Sequence, residues 1–583
     1  MTYGRVDPDS STNRGSPQRL MDSPLRASRT LAYAVSNQHQ SWGDALRKFI
    51  FVTGGVLSGL GKGVVTASIG LLLKAQGYRV SLQKIDPYVN VDAGTMNPYE
   101  HGEVFVTGDG KETDLDIGRY ERFLDAPLTA AHYFTTGQVY GDVIRQERAG
   151  AYLGRTVQVI PHVTDEIKRL IHLPLERNHA EIGVVEVGGT VGDIEGLPFL
   201  EALRQMRDEL PREDTFFIHV TLLPHLATSD EIKTKPTQHS VKELRAIGIQ
   251  PNAIIARADR PLPESVKEKI ALFCDVPRDR VIEDPDLPSI YYAPLIFQEQ
   301  GLPDSIARGL GIEPRRPDLK AWRGRVKHIE SPSASVRIAI VGKYVELADS
   351  YISIREALVH AGASEDIGVD VEWIAAETIA TEGPEPSLSH VDGLLIPGGF
   401  GHRGIEGKVE AVEYVRTNEV PFFGICLGLQ CAIIEYARNV LELEDANSSE
   451  FDPDSPHPVI TLLEEQEGVV QKGGTMRRGT YETLLADGSV ARSCYGKSRI
   501  EERHRHRYEF NPTYVERFKA AGMRIAGTTL DGRLTEIAEL PDHPWFVCVQ
   551  FHPEFTSRFL RAHPLFIGFV RACQERESSS SVS

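Results

Sequence analysis

Two short motifs, far apart in the chain, have residue types suited to catalysis. The glycine-rich residues 54–63 follow the apolar run 49–52 and contain Lys62. A glycine-rich turn between a strand and a helix exposes backbone N–H groups and directs a helix dipole at an anion, and a lysine adds a charge that reaches outer phosphates. Much later, Cys426 stands in a Gly-x-Cys-x-Gly string and His552-Pro553-Glu554 follows near the C-terminus. Together the motifs indicate that ammonia is released at the thiol and consumed where a phosphate is transferred.

The cysteine motif predicts nucleophilic attack on an amide. Its flanking glycines permit a sharp strand-to-helix turn, and the helix that follows favours the thiolate form of Cys426. His552 is suited to act as the base, with Glu554 orienting its ring. Gly398 and Gly399 follow another apolar run and can supply N–H donors for an oxyanion. A lone cysteine is more often structural, an interpretation that we keep for Cys431, Cys494 and Cys548 and reject for Cys426.

The phosphate loop departs from the common G-x-x-x-x-G-K-[ST] pattern. It is one residue longer, and Gly63 replaces the hydroxyl residue that usually ligates Mg²⁺, so other acids must hold the metal. The carboxylates of residues 112–116 and Glu186, at the end of an apolar run, are the candidates. The alternative is that Asp114 and Asp116 cap a helix. Taken alone, a glycine-rich connection without a ligand is an equally good interpretation of the loop.

Residues 233–238, Lys-Thr-Lys-Pro-Thr-Gln, form a second candidate for anion binding. Their lysines and hydroxyls are close in sequence and the proline stiffens the segment, although a solvated basic turn is a common alternative. Lys84, just after an apolar run, is a further cation at the end of a predicted strand.

Composition excludes several classes of protein. The formal charge of −18 argues against nucleic-acid binding, which needs a basic surface. No run approaches the roughly 18 apolar residues that a membrane helix needs, and the first residues lack the apolar core of a secretion signal. The six cysteines show no metal-ligand spacing and are typical of a reducing compartment. We expect a cytoplasmic protein with no membrane partner.

Apolar runs alternate with amphipathic stretches along most of the chain, which predicts parallel sheets covered by helices on both faces. Residues 182–187, 216–223 and 253–257 are predicted strands of a first unit, and residues 64–76 a helix that ends at Gly77. Residues 336–341, 393–396, 421–425 and 547–551 are predicted strands of a second unit. We expect a disordered extension over 1–47, a first domain over 48–312, a linker over 313–335, a second domain over 336–574 and a disordered tail over 575–583.

Several longer strings resemble one family, the CTP synthases, which aminate UTP with glutamine as the nitrogen source. The matching strings are residues 51–56, 84–88, 102–106, 112–116, 188–195, 233–243, 424–430, 503–509 and 550–555. The resemblance covers residues 48–572. It implies an α/β fold in which an N-terminal P-loop-type doubly wound parallel sheet domain, the amidoligase, precedes a C-terminal α/β class I glutamine amidotransferase domain.

The resemblance also implies roles for individual residues. Catalysis of glutamine hydrolysis falls to Cys426, His552 and Glu554, and Mg²⁺ binding to Asp116 and Glu186. ATP binding falls to Gly59, Leu60, Gly61, Lys62, Gly63, Val64, Asp116, Arg257, Pro285, Asp286 and Leu287. UTP, or CTP as a feedback inhibitor, would bind Ser58, Asp193, Ile194, Glu195, Lys233, Thr234, Lys235, Pro236, Thr237, Gln238 and Lys269. Glutamine would bind Gly399, Leu427, Gly428, Leu429, Gln430, Glu450 and Arg507.

By the same resemblance, ATP phosphorylates O4 of the uracil ring and ammonia displaces the phosphate at C4 after passing through an internal tunnel, with His101 near its mouth. The family implies activation by GTP, a homotetramer and filaments. This chain departs from the family pattern at Gly59 and Gly196, where relatives frequently have serine. The region before residue 474, the expected lid for GTP activation, is short and polar.

Two alternatives remain open at this point. The first is another ATP-dependent glutamine amidotransferase, for instance one that amidates corrinoid carboxylates; residues 233–238 and 112–116 favour the pyrimidine enzyme over it. The second is a nucleotide-switch scaffold with a degenerate glutaminase domain. An intact set of Cys426, His552 and Glu554 argues against the scaffold, because a decayed site usually loses one member.

Overall fold

The computed structural model describes residues 47–228, 230–343, 345–462 and 476–580. Except for Arg47, the predicted N-terminal extension lies outside these residues, as do the last three residues of the predicted tail and nearly all of the expected lid. Among the described residues, no helix is both long enough and apolar enough to cross a membrane.

The first half of the chain alternates strands and helices. Its elements are β1 (Lys48–Gly54), α1 (Lys62–Ala75), β2 (Val80–Asp86), α2 (Pro98–His101), β3 (Phe105–Val106), β4 (Glu112–Thr113), α3 (Leu115–Leu124), β5 (Tyr133–Thr135), α4 (Thr136–Arg148), α5 (Thr164–Asn178), β6 (Ile182–Val187), α6 (Leu197–Glu209), β7 (Thr215–Leu222), β8 (His225–Leu226), β9 (Glu231–Ile232), α7 (Lys235–Ala246), β10 (Ala253–Ala258), α8 (Glu264–Cys274), β11 (Val281–Pro285), α9 (Ala293–Glu299) and α10 (Leu302–Leu310).

Seven of these strands form one parallel sheet in the order β11-β10-β7-β1-β6-β2-β5. Every residue of the central strand β1 is buried. Its side chains alternate between faces, so Phe49 and Phe51 join one apolar cluster while Ile50 and Val52 join another. The sheet is therefore covered on both sides, which confirms the predicted doubly wound fold.

The second half begins with α11 (Lys320–Glu330) and is a separate sheet with its own helices. Its elements continue with β12 (Ala334–Gly342), α12 (Ile352–Glu365), β13 (Ile367–Ala375), α13 (Ala376–Glu382), α14 (Glu385–Leu388), β14 (Gly393–Ile396), α15 (Ile405–Thr417), β15 (Phe422–Ile425), α16 (Leu427–Asn439), β16 (Ala446–Ser448), β17 (His457–Leu462), β18 (Arg477–Leu485), α17 (Val490–Tyr495), β19 (Arg499–His506), β20 (Tyr508–Phe510), α18 (Val515–Ala520), β21 (Arg524–Thr528), β22 (Thr535–Glu539), β23 (Phe546–Val549) and α19 (Pro564–Ser580).

The second sheet has the order β13-β12-β14-β15-β23-β22-β21-β18-β19. The strands from β13 to β23 run parallel, and β22, β21, β18 and β19 extend the sheet in antiparallel fashion. The parallel part brings the carboxyl ends of β15 and β23 side by side, which is where Cys426 and His552 follow their strands.

Two segments expected to be irregular contain helix. Within residues 313–335, α11 buries Trp322 against the first sheet's helices, and its indole N–H donates to the Tyr291 carbonyl at 2.8 Å. Near the C-terminus, α19 continues to Ser580, because its first turns pack Phe566 and Phe569 into the second core and propagation of an existing helix is easy.

Candidate active sites

The phosphate loop connects β1 to α1 and ends on an accessible helix N-terminus. Gly61 has φ 87°, a conformation that L side chains rarely adopt, and α1 begins at Lys62. The Lys62 ammonium donates to the Gly189 carbonyl at 2.8 Å. A side chain at Gly54 would place its Cβ 2.6 Å from Lys62 Cδ, so glycine is required there for the lysine to lie back along the loop. Burial lowers the pKa of Lys62, although nearby carboxylates, Glu186 first, oppose this.

A cavity of about 440 Å³ opens at this helix N-terminus, at the carboxyl edge of the first sheet. Its lining includes the whole run from Ser58 to Val64, together with Lys84, Asp86, Asp114, Asp116, Arg119 and Glu186. The structure thus brings together, around one space, the predicted loop and the predicted metal-binding acids, which come from separate strands and helices.

Lys84 is the centre of the charges in this cavity. Its ammonium lies 3.3 Å from Asp114, 3.4 Å from Glu186 and 3.7 Å from Asp86, and it also pairs with Asp116. Burial alone lowers the pKa of Lys84, but these carboxylates outweigh it and hold the pKa well above its usual value. The lysine therefore stays charged and keeps the acids close to one another.

The donor chemistry fits Mg²⁺ bound jointly by protein and nucleotide. Asp116 and Glu186 both contact the Lys84 ammonium, so their carboxylates converge on one position that already holds a cationic group. In the described part of the chain no set of three His, Cys, Asp or Glu side chains is arranged to hold a metal by itself. Mg²⁺ commonly takes only one or two carboxylates and completes its shell with phosphates and water.

The acidic string 112–116 divides into three roles. Asp114 is the N-cap of α3, where its side chain accepts the Asp116 N–H at 2.9 Å, so the capping interpretation holds for Asp114. Asp116 lies in the cavity. Glu112 points to the other half of the molecule, where it accepts from Arg478 at 2.6 Å and Arg505 at 2.8 Å. Glu112 is thus a contact between the two halves.

Apart from Ser58, the residues expected to bind the base and the second nucleotide are not among those that line this cavity. Arg257, the penultimate residue of β10, pairs with Asp286, just beyond β11, at 2.7 Å; Pro285 and Leu287 flank that aspartate. Asp193 and Glu195, with Ile194 between them, line a separate open pocket of about 300 Å³ that shares Gly189 with the phosphate cavity.

Residues 233–238 form the turn into α7. Thr234 precedes the helix, Lys235 and Pro236 start it, and Thr237 is buried, donating to the Leu222 carbonyl at 3.2 Å. Lys233 and Gln238 are partly exposed on this turn, and Lys269 is exposed on α8. Lys269 is near this turn because α8 packs against α7.

Cys426 occupies a strained turn between β15 and α16. Its φ of 51° is rare for a residue with a side chain and is the strained geometry expected of a nucleophile between flanking glycines. The Cys426 N–H donates to the Val549 carbonyl at 2.7 Å, which ties the turn to β23, and Gln550 Nε2 lies 3.7 Å from the sulfur.

His552 and Glu554 form the predicted base and orienting acid. His552 Nδ1 and Glu554 Oε1 are 2.7 Å apart. Burial by itself lowers the pKa of His552, but the Glu554 carboxylate and the neighbouring Cys426 thiol outweigh it and raise this pKa to about 10. Nε2 is buried, and with this pKa the ring holds a proton at neutral pH next to the Cys426 side chain.

The other cysteines lack this environment. All six are free thiols. Burial raises the pKa of Cys431 and of Cys494 to about 11, and raises that of Cys548 further, which keeps them protonated and unreactive. The structural interpretation of these three is consistent with their burial.

A pocket of about 210 Å³ gives access to the Cys426 thiol, and residues of both halves line it. Gly399 lines this pocket and lies next to Leu427, the first residue of α16. The next three residues of that helix, Gly428, Leu429 and Gln430, are buried. Glu450 accepts the Gly401 N–H at 2.9 Å, and its pKa is raised by burial in spite of Arg507 nearby. Of the expected glutamine-binding residues, Gly399 lines the thiol pocket itself.

Sequence reasoning missed the residues that the halves contribute to each other. Glu103 and Met96, from the first half, line the thiol pocket together with Arg505 and Phe400. Arg119 lines the phosphate cavity one helical turn after Asp116, with which it pairs. No local pattern marks any of these as site residues; the position of Glu103 and Met96 in the thiol pocket depends on how the halves dock, whereas Arg119 reaches its cavity from the same helix as Asp116.

One short segment separates the two cavities. Tyr99, His101 and Gly102 line the phosphate cavity, whereas Glu103 and Val104, which follow at once, line the thiol pocket. Asp349, from the second half, also lines the phosphate cavity. The two sites thus lie on opposite sides of the same stretch of backbone.

Comparison with known proteins agrees with this pair of sites. The family model described as "CTP synthase N-terminus" matches residues 48–312, and the model described as "Glutamine amidotransferase class-I" matches residues 346–572. A CTP synthase of Carboxydothermus hydrogenoformans is 55% identical over 527 residues, covering 90% of this chain and 98% of that protein. A CTP synthase of Dehalococcoides mccartyi is 54% identical over 530 residues, covering 91% and 97%.

A solved structure of the glutaminase domain of Trypanosoma brucei CTPS with bound acivicin is 36% identical, covering 41% of this chain and 94% of that one with a TM-score of 0.39. Both family models match, in the expected order, and the identity to the bacterial relatives extends over nearly their whole length. The chain belongs to the CTP synthase family.

Proposed function

We propose that this protein converts UTP to CTP, using ATP to activate the uracil ring and ammonia released from glutamine at Cys426. The observation that carries the proposal is the pairing of the two sites: a phosphate cavity at the Lys62 loop and a thiol pocket at Cys426, both bordered by the segment 99–104. Family membership supplies the identity of the substrates, which the geometry alone does not distinguish from those of other amidotransferases.

In the thiol pocket, His552 Nε2 already holds the proton given up by Cys426, as the raised pKa of His552 indicates, and the sulfur attacks the side-chain carbonyl carbon of glutamine as a thiolate. The same proton passes to the departing amide nitrogen, which leaves as ammonia, and water then cleaves the thioester to give glutamate and the free thiol. Glu554 stabilises the imidazolium until that proton is transferred, and it is the strongest of the groups that raise the pKa of His552.

In the phosphate cavity, Lys62 and the N–H groups at the start of α1 would hold the triphosphate of ATP. Asp116 and Glu186 would hold Mg²⁺, which when bound neutralises charge on the phosphates. Asp193, Glu195 and the turn 233–238 would hold UTP, so that its O4 accepts the terminal phosphoryl group of ATP. ADP leaves, and N3 of the ring loses its proton. Ammonia then attacks C4 and gives up one proton, and phosphate leaves with the C4–O4 bonding electrons.

The segment 99–104 explains why glutamine serves as the nitrogen source. Glu103 and Val104 line the thiol pocket and His101 and Gly102 line the phosphate cavity, so this segment borders both, as do residues 347–351 of the second half. Passage along this segment would deliver unprotonated ammonia without dilution into bulk water. We propose His101 as a residue of that passage.

Several further properties follow from the family and are part of the proposal. They are activation by GTP, feedback inhibition by CTP, a homotetramer that assembles into filaments, a cytoplasmic location, and a division into an amidoligase unit over 48–312 and a glutaminase unit over 336–574. None of these properties is needed for the experiment that follows.

The test is CTP formation by the purified full chain with UTP, ATP and Mg²⁺, using either glutamine or an ammonium salt. We expect CTP from both nitrogen sources. Cys426→Ala should lose the glutamine reaction and keep the ammonia reaction, because only the ammonia source is removed. The matched control is Cys431→Ala, a buried cysteine five residues later on α16, which should keep both.

The possible failures are distinct. Loss of both reactions in Cys426→Ala would contradict the division of labour between the sites. ATP hydrolysis that depends on a carboxylate substrate and not on UTP would indicate a different amidotransferase. ATP binding without turnover under any condition would indicate a nucleotide-switch scaffold.

A further inference from the structure

Glu121 is a buried acid of the first half whose partners lie in the second half. It is on α3 and is 0% exposed. Its carboxylate accepts from Arg503 at 3.1 and 3.0 Å and also from Arg558, while the Leu128 N–H donates to it at 2.8 Å. Among the described residues, it is the carboxylate with which both arginines pair. Removing one partner of a buried ion pair leaves the others uncompensated, so this group has a large effect on its neighbours.

The two arginines stand at either end of the turn that carries the catalytic histidine. The Arg503 carbonyl accepts the His552 N–H at 2.7 Å, and Arg558 Nη1 donates to the Phe555 carbonyl at 2.8 Å. The Phe555 ring stacks on the His552 imidazole with centroids 5.0 Å apart. One carboxylate of the first half therefore holds both ends of residues 552–555.

The charges around these arginines show that Glu121 is what permits their burial. Burial, together with the neighbouring Arg503 and Arg122, lowers the pKa of Arg558 to about 10, although Glu121 opposes this. Arg503 also donates to the Val106 carbonyl at 3.0 Å, a second contact with the first half. Without the carboxylate, two guanidinium groups would repel each other beside the turn.

We propose that Glu121 is a positioning residue for glutamine hydrolysis: it sets the His552 turn through Arg503 and Arg558 and so makes the thiol site depend on the docked first half. The same helix reaches the other site, because Asp116 on its first turn lines the phosphate cavity and five residues of α-helix span only about 7.5 Å. A shift of α3 when the phosphate cavity fills would therefore move the catalytic turn. This inference rests on the proposed function.

The experiment compares Glu121→Gln with Asp125→Asn in the full-length protein. Glutamine replaces the carboxylate with a neutral group of the same shape. Asp125 lies one turn later on the same side of the interface and pairs with Arg561 at 2.8 Å, but that pair is solvent-exposed and does not touch the turn. Rates of CTP formation are measured with glutamine and with ammonium, together with the KM for glutamine and the Tm.

For Glu121→Gln we expect the glutamine-dependent kcat to fall by roughly 10²-fold, the effect of misplacing a catalytic group by about 1 Å. The KM for glutamine should change little, since its expected contacts at Glu450 and Arg507 are elsewhere, and the ammonia reaction should stay within about twofold. Asp125→Asn should match the wild type in all three. A merely structural role would lower both reactions together.

Glu121→Gln with a wild-type glutamine reaction would overturn the inference. If this variant loses both reactions or unfolds, Arg503→Lys is the deciding test of the inference. Lysine keeps the positive charge but cannot donate to Glu121 and to the Val106 carbonyl from two separate nitrogens. An unchanged ratio of glutamine to ammonia rates in Arg503→Lys would also overturn it. Absence of CTP from ammonia in the wild type would instead refute the proposed function.

Discussion

Replacing Glu554 by glutamine removes one negative charge beside His552 and little else, since an amide oxygen can still accept the Nδ1 hydrogen bond now made at 2.7 Å. The rise of the His552 pKa from 6.5 to about 10 corresponds to a preference for the imidazolium of at most about 5 kcal/mol. Glu554 is the strongest of the groups that raise this pKa, and burial opposes them. In Glu554→Gln the pKa of His552 should therefore fall, and the ring should be neutral at pH 7.

The expected consequence is a loss of about 10²- to 10³-fold in glutamine hydrolysis, within the usual range for impaired acid–base catalysis. The assay is glutamate release from pH 6 to pH 10, with ammonia-dependent CTP formation as the internal control. The rate of Cys426 alkylation by a small electrophile over the same range reports the thiolate that the imidazolium stabilises, and we expect it to fall at neutral pH.

Glutamine hydrolysis by Glu554→Gln at the wild-type rate throughout this pH range would refute the argument that the carboxylate supports the imidazolium. An equal loss of the ammonia reaction would show that the substitution disturbs the whole protein. The second outcome is checked by the Tm, which should change little if only the charge has been lost.

Two further predictions concern the other site and the boundary between the halves. Lys62→Ala should reduce CTP formation by at least about 10²-fold with glutamine and with ammonium alike, since both depend on the phosphate cavity; retention of either rate would contradict its role. Burial raises the pKa of Glu103 to about 7 although its bond to Ser353 opposes this, so the native state holds a proton that the unfolded chain releases between pH 4.5 and 7. Wild-type stability should decline by about 1–3 kcal/mol over that interval relative to Glu103→Gln, as measured by urea unfolding; parallel profiles would refute this.

Much of the fold follows from local patterns. Residues 182–187 and 393–396 are strands with the predicted bounds, because continuous apolar runs between turn residues favour buried parallel strands. The helix predicted over 64–76 begins two residues earlier, at Lys62, because Gly61, the last residue of the phosphate loop, is the N-cap of this helix. Helix in 313–335 was not predicted, since its single buried tryptophan gives little periodicity.

The sequence by itself determined which reactive side chains are present and which predicted strand each of them follows. A glycine at 54 or 61, a cysteine between glycines, and a His-Pro-Glu string are local features, and their conformations depend mainly on the residues beside them. For this reason the Lys62 loop and the strained Cys426 turn could both be predicted without knowledge of the fold.

Only the tertiary structure determined which charged side chains form ion pairs with one another. Lys84, Asp116 and Glu186 come from different elements and converge because parallel strands bring their carboxyl ends to one edge. Glu112 and Glu121 resemble other acids in sequence, yet each pairs with arginines hundreds of residues away because the two halves dock on these faces. Contacts across an interface depend on the orientation of whole domains, and no local spacing encodes that orientation.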